Sequence, residues 1–417
     1  ELPSHTARRR PHLQLIVAWA NAILHHPGAV HTALESVQTA LDEGIVTREE
    51  TRRLRLEAAV IRDLDRVQND AIDELDAATA EVLEHPDAVR PYAVAGAANV
   101  ASYLDIYRFD FEAARNRLQW ALPYHHATHG TFSVVIGHCL TGIAAHEQLD
   151  IPAADASFRT ALTLARSSTG SHSYAARLAG ALLAELLYEQ GDLDTAELLL
   201  DDSYTLGAEG GIVDFLLATY GTGSRIKAVR GDMTTATARL AEGARTGTAQ
   251  GMPRLVARID NERVRLGIVP GREAAELGPT SGTAQGSGIV AVTAELRENT
   301  CIRSLLTDPT PAHLDEACAR AADLVRAVRA HSRPKAILEA TLLHVGCLSA
   351  AGRRDQATGL LVPAATTCAR LGLARTLIDA GVEIVPVLED LRDNHQEDAA
   401  ATPPVLMRFL TSILSTR

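Results

Sequence analysis

The sequence predicts an all-α fold, a right-handed superhelical solenoid of about nine helix–turn–helix, tetratricopeptide-like repeats. Three observations carry that expectation. An apolar helix, a tight turn often written Gly-Asp, and a second helix with small residues at spacings of four and three return about every forty residues. Aromatic residues make up only 4% of a chain that is 46% hydrophobic. The interior is therefore built from Ala, Leu, Val and Ile, which suits closely packed helices. Runs such as "AARLAGALLAELLYEQ" carry no Pro and little Gly, the two residues that disfavour helix most strongly.

The repeat is clearest in "YEQGDLDTAELLL" from Tyr188 and "AVRGDMTTATARL" from Ala228. The phrases "HEQLDIPAADASFRTAL" from His146 and "YRFDFEAARNRLQWAL" from Tyr107 follow the same plan. Asp110, Asp150, Asp192 and Asp232 open the second helices at intervals of 40, 42 and 40 residues. A carboxylate suits that place because it accepts from the free N–H groups of a first turn and favours the positive end of the helix dipole. Four residues later come Ala114, Ala154, Ala196 and Ala236, small enough to let paired helices approach closely.

Steps of about forty extend the frame to Ala33 upstream and to Ala275, Ala317 and Ala357 downstream. The step near residue 74 meets Glu74, so the second unit is degenerate or slips register. Units of this length hide their apolar faces only by stacking on one another. Length alone leaves tetratricopeptide-type and HEAT-type units open; the Gly-Asp turn and the small residue after it favour the former. In the Ala275 unit, Gly278, Pro279, Gly282, Gly286 and Gly288 crowd together and predict an exposed loop over 278–288. The expected organisation is a single α-solenoid region over 1–417, with repeats in 1–277, and repeats and capping helices in 289–417, on either side of that loop.

Composition narrows the function. The formal net charge of -12, without a basic stripe along any helix, argues against direct nucleic-acid binding. The densest basic run, Ala7–Arg10, reads as a solvated end. Five scattered cysteines without a CxxC pair point to a reducing cytoplasm rather than to disulfides or zinc. No apolar run of about 18 residues and no signal-peptide pattern is present, so a membrane span is not expected. The chain lacks an initiator Met and is expected to belong to a longer protein.

Catalytic signatures are missing from the sequence. It holds no HExxH, no GxSxG and no dinucleotide-binding glycine fingerprint; "YGTGSR" at Tyr220 falls within a predicted helix. His125, His126 and His129 have spacing that suits a metal, but no carboxylate or Cys completes the set, and a solvated helix end is the expectation. No enzyme activity, metal or cofactor is expected.

Binding is the remaining option. In tetratricopeptide-like stacks the first helix of each pair lines the concave wall. Counting back from the turns places Asn99, Tyr103 and Tyr107 there, then Cys139 and His146, Glu185 and Tyr188, and Arg225. Tyr103 and Tyr107 share a face and suit a sugar or another ring-bearing ligand, or they pack between repeats. Arg254, Arg258, Glu262 and Arg265 fall at steps of four, four and three, with Arg303 one repeat on. Such a stripe either captures a carboxylate or phosphate or is a solvated face laced by Arg258–Glu262 pairing.

The order of phrases also resembles a known family. "LPSHTARRRPHLQLIVAWANAILHHPGAVHTAL" resembles the start of the helical sensor region of MalT-type, large ATP-binding LuxR-family transcription regulators. The stretch from "LAELLYEQGDLDTAELLL" to "RGDMTTATARL" is similar to its middle repeats, and "PRLVARIDNERVRLGI" to the helix after them. "LEATLLHVGCLSAAGRRDQATGLL", continuing through Arg375 and Gly381, resembles its last repeat. A similar region occurs in PknK-type kinases. The resemblance implies a sensor role that accompanies a nucleotide-binding switch module and a helix-turn-helix on the same chain. The function expected is recognition of a small-molecule inducer in the concave groove. The alternative is a scaffold that holds a peptide or partner domain in the same groove.

Overall fold

The computed structural model describes residues 10–128, 130–209, 211–268, 288–397 and 404–415, whose regular structure is helical throughout. The stretch 278–287, Ala275, His129 and Ala7–Arg9 lie outside the described residues.

The helices follow one another in pairs. The first two pairs are α1 (Pro11–Ile23) with α2 (Pro27–Asp42), and α3 (Arg48–Gln68) with α4 (Ala77–Glu84). Next come α5 (Pro91–Tyr107) with α6 (Phe111–His126), α7 (Phe132–Glu147) with α8 (Ile151–Thr169), and α9 (Tyr174–Gln190) with α10 (Leu193–Tyr204). In the sixth pair α11 runs from Val213–Leu216 through a π-helical stretch, Leu217–Thr222, into Gly223–Val229, and packs on α12 (Met233–Ala249). Of the seventh, only α13 (Pro253–Arg265) is described. The last two pairs are α14 (Gly288–Thr307) with α15 (Pro311–Ala330) and α16 (Pro334–Ala350) with α17 (Arg354–Leu371). α18 (Ala374–Ile378), α19 (Val385–Glu397) and α20 (Pro404–Ser415) follow. Among the described residues eight slots of the expected frame hold a helix pair, and the seventh holds its first helix.

The turn chemistry accounts for the repetition. Asp110, Asp150, Asp192 and Asp232 each accept a hydrogen bond from the backbone N–H three residues on, at 3.0, 3.3, 3.2 and 3.0 Å. The residue before each aspartate is left-handed: Gly191 and Gly231 have φ of 94° and 84°. Phe109 and Leu149 take the same conformation at 64° and 57° without the freedom of glycine. Ala114, Ala154, Ala196, Ala236, Ala317 and Ala357 are all buried at the helix–helix contacts.

The second unit keeps this turn and then departs from it. Asp70 is left-handed at φ 56°, in frame with Phe109, but the next helix starts only at Ala77, capped by Asp76. Glu74 therefore lies exposed in the connection, and Thr79 takes the buried place on a helix of eight residues.

Stacking bends the array until it meets itself. Tyr188 bonds Asp379 across 191 residues, Arg254 bonds Asp70 across 184, and Lys335 approaches His146 across 189. α5 and α7 thus touch α14 and α16, and α9 touches α18. One superhelical turn takes between four and five repeats. The first helices of the pairs face its axis, which explains why every residue from Ala93 to Tyr107 on α5 is buried.

Candidate functional site

The superhelix axis holds a cavity of about 230 Å³. Among the described residues, eight arginine and lysine side chains and seven carboxylates line it, so it is a charged cavity. At one end Phe109, Ile143, Val292 and Leu296 give it an apolar wall; along α14 the lining passes from these to Asn299 and Arg303.

Arg254 closes one side. Only 2% exposed, it reaches Asp70 from Nε at 2.7 Å and Asp214 from Nη2 at 2.9 Å. Its guanidinium lies 4.5 Å from the centre of the Tyr107 ring, and the Tyr107 hydroxyl donates to Asp214 at 2.5 Å. The Tyr103 hydroxyl donates to Asp70. The planar fork of an arginine is what allows one cation to hold two carboxylates from separate repeats.

A second cluster surrounds Glu262, which has no exposed surface. Arg225 on α11 holds it with Nε at 2.6 Å, Arg258 Nε lies 3.0 Å away and Arg265 Nε 3.9 Å away. Burial opposes ionisation of Glu262, yet the three arginines outweigh it and hold the carboxyl at about 2. Arg258 lies against Gly221 in the π-helical stretch, where a β-carbon would come within 2.9 Å of Nε. Local π geometry of this kind re-aims helix faces at functional sites.

Charged residues also tie the two rims together. Glu189 accepts from His146 at 2.7 Å and from Lys335 at 3.0 Å. Burial resists its charge, but His146 and Lys335 keep its carboxyl well below the ordinary range. Arg333 bonds Glu295 at 2.6 Å and lies 4.4 Å from the centre of the Phe109 ring.

The structure brings Tyr107, His146, Glu185, Tyr188, Arg225, Arg254, Arg258 and Arg303 to one chamber. Asn99, Tyr103 and Glu262 lie behind its wall; Asn99 bonds the Ser133 carbonyl at 2.8 Å. Cys139 packs in the core. The stripe on α13 faces the axis, so it is not a solvated face.

His125 requires a correction. It is 2% exposed rather than solvated, bonds Ser133 Oγ at 3.1 Å, and burial lowers its pKa to about 4. Among the described residues no group of His, Cys, Asp and Glu is arranged to hold a metal. Sequence reasoning missed Asp70, Glu189, Asp214, Lys335 and Asp379, each of which has a partner on another repeat. Arg265 was marked only by its place on the stripe.

A stacked-pair solenoid with first helices turned to a polar axis defines a tetratricopeptide-type module, of the kind used for sensing or protein interaction. The chain belongs to the MalT-like TPR region family, which it matches over residues 56–394. It is 44% identical over 383 residues to the serine/threonine-protein kinase PknK of Mycobacterium tuberculosis and of Mycobacterium bovis. The match covers 92% of this chain and 34% of those kinases, so the chain spans about a third of their length. The fold is similar to the Rap protein in its complex with Competence and Sporulation Factor, with a TM-score of 0.50 at 10% identity, over 93% of this chain and 99% of that one. No helix of the described residues is long and apolar enough to cross a membrane.

Proposed function

We propose that this chain is the non-catalytic sensor region of a larger cytoplasmic signalling protein, and that it recognises a small-molecule effector in the axial cavity. The observation that carries this reading is the enclosure of the charged chamber by helices nearly 190 residues apart in sequence. A small molecule between those walls interacts with one curvature of the solenoid more strongly than with another, and that difference shifts the population of states. Tyr107, His146, Glu185, Tyr188, Arg225, Arg254, Arg258 and Arg303 are the contacts proposed. Identity with PknK across most of the chain supports a kinase parent over a LuxR-type transcription regulator.

The test is a thermal-shift screen of the purified chain against neutral, cationic and anionic metabolites, with a pull-down in parallel. Stabilisation is expected to saturate as RT ln(1 + [L]/Kd), about 2.7 kcal/mol at a hundredfold excess. Silence across the library, together with stoichiometric binding of a defined peptide or domain, would replace this reading with the scaffold.

A further inference from the structure

The cavity has an arginine corner with too few counter-charges. Arg225, Arg258, Arg265 and Arg303 converge there from α11, α13 and α14, and all four line the chamber. Glu262 is shared by the first three; Glu185, 3.6 Å from Arg258, is the next carboxylate. Arg303, 8% exposed, makes no ion pair among the described residues and donates instead to Asn299 Oδ1 at 2.8 Å and the Ala380 carbonyl at 3.0 Å. Arg265 donates to the Asp379 carbonyl oxygen at 2.8 Å. The Asp379 carboxylate itself is occupied by Arg375 and Tyr188.

The Glu383 carboxylate lies beside Arg303 at Gly381, so four guanidiniums face three carboxylates and one positive charge is left in the corner. The Nε atoms of Arg258 and Arg265 are buried there without a well-aligned hydrogen-bond acceptor. Unpaired buried cations are costly, and proteins keep them where a ligand supplies the missing charge. Burial and the repulsion of neighbouring arginines hold Arg265 and Arg303 below the usual arginine pKa, against the pull of Glu262 on both.

We infer that the corner formed by Arg258, Arg265 and Arg303 is a binding site for a small oxyanion, the acidic group of the effector. This rests on the sensor reading and names the chemistry of its ligand. A phosphate ester and a dicarboxylate both offer that chemistry. Guanidinium forks bind either in bidentate fashion.

The experiment titrates the chain with inorganic phosphate, sulfate and succinate by calorimetry and thermal shift, with sodium chloride at matched ionic strength as the reference. Saturable binding of at least one oxyanion, with stabilisation beyond chloride, is expected, and the arm that responds distinguishes phosphate from carboxylate. Arg303→Gln and Arg265→Gln should each weaken it at least tenfold. Arg326→Gln, on the exposed face of α15, should leave it unchanged. Arg303→Gln removes a charge that makes no ion pair, so its ligand-free melting temperature should equal or exceed the parent's; Arg265→Gln also takes one arginine from Glu262, and its circular dichroism spectrum checks that it folds. No saturable binding by the unmodified chain, or undiminished binding by both variants, overturns the inference. A neutral effector that binds in the cavity without any oxyanion response would overturn it and leave the sensor reading standing.

Discussion

Tyr188 Oη donates to Asp379 Oδ2 at 2.5 Å, joining α9 to the short helix α18 one superhelical turn later. Arg375 bonds the same carboxylate, so Asp379 is held from both sides. Tyr188→Phe removes one donor and leaves the arginine. It should cost about 1 kcal/mol, whereas Asp379→Ala, which strands both partners, should cost about 2–3 kcal/mol. Urea unfolding of the two variants checks the order; equal losses would mean that Asp379 does not clasp the turn.

Arg254 is the more demanding junction, because among the described residues it is the cation that pairs with both Asp70 and Asp214, from separate repeats. Arg254→Met keeps much of the volume and leaves two buried carboxylates without their cation. The expected loss is about 3–5 kcal/mol. A fall in the denaturant slope together with the midpoint would show that the repeats no longer unfold as one unit.

How far such pairs were legible follows from the range of the forces. The caps at Asp110, Asp150, Asp192 and Asp232, and the buried alanines after them, arise within one turn of helix, so a forty-residue phrase displays them. The inward direction of Arg254, Arg258 and Arg265 follows from helical spacing once α13 is known to be a first helix. Closure is different. It is the sum of small rotations between repeats, and no local phrase encodes that Asp70 meets Arg254 or that Glu189 meets Lys335. The burial of His125 escaped notice for a related reason. Its cover comes from α7 of the next unit, through Ser133 and Gly137.

Two glycines separate backbone geometry from packing. A β-carbon added at Gly231, φ 84°, would meet no atom within 4 Å. Gly231→Ala should therefore cost about 1–2 kcal/mol through the left-handed conformation alone. Gly359, helical and exposed on α17, is equally open. Gly359→Ala should stabilise by about 0.5–1 kcal/mol. Thermal unfolding of both variants decides; a stable Gly231→Ala would mean that the turn tolerates another shape.

Acid should act on the chain in two windows. His125 has its pKa lowered from 6.5 to about 4 by burial, with His138 and His126 adding to the effect. Between those values the unfolded chain binds the proton and the folded one does not, so stability declines as pH falls from 6.5 toward 4. Glu262 is lowered from 4.5 to about 2. Its contribution is fully present above 4.5 and fades as pH drops toward 2, amounting to roughly 3 kcal/mol over the whole interval. His25, His138 and His344 are also lowered by burial and share the upper window, so His125→Phe should reduce its slope and leave the lower window as it is. Glu262→Gln should do the reverse, at a cost in stability near neutrality because Arg225 loses its partner. Unfolding free energies measured from pH 7 to 3.5 test both; a Glu262→Gln profile parallel to the unmodified chain below 4.5 would show that the arginines do not hold this carboxylate ionised.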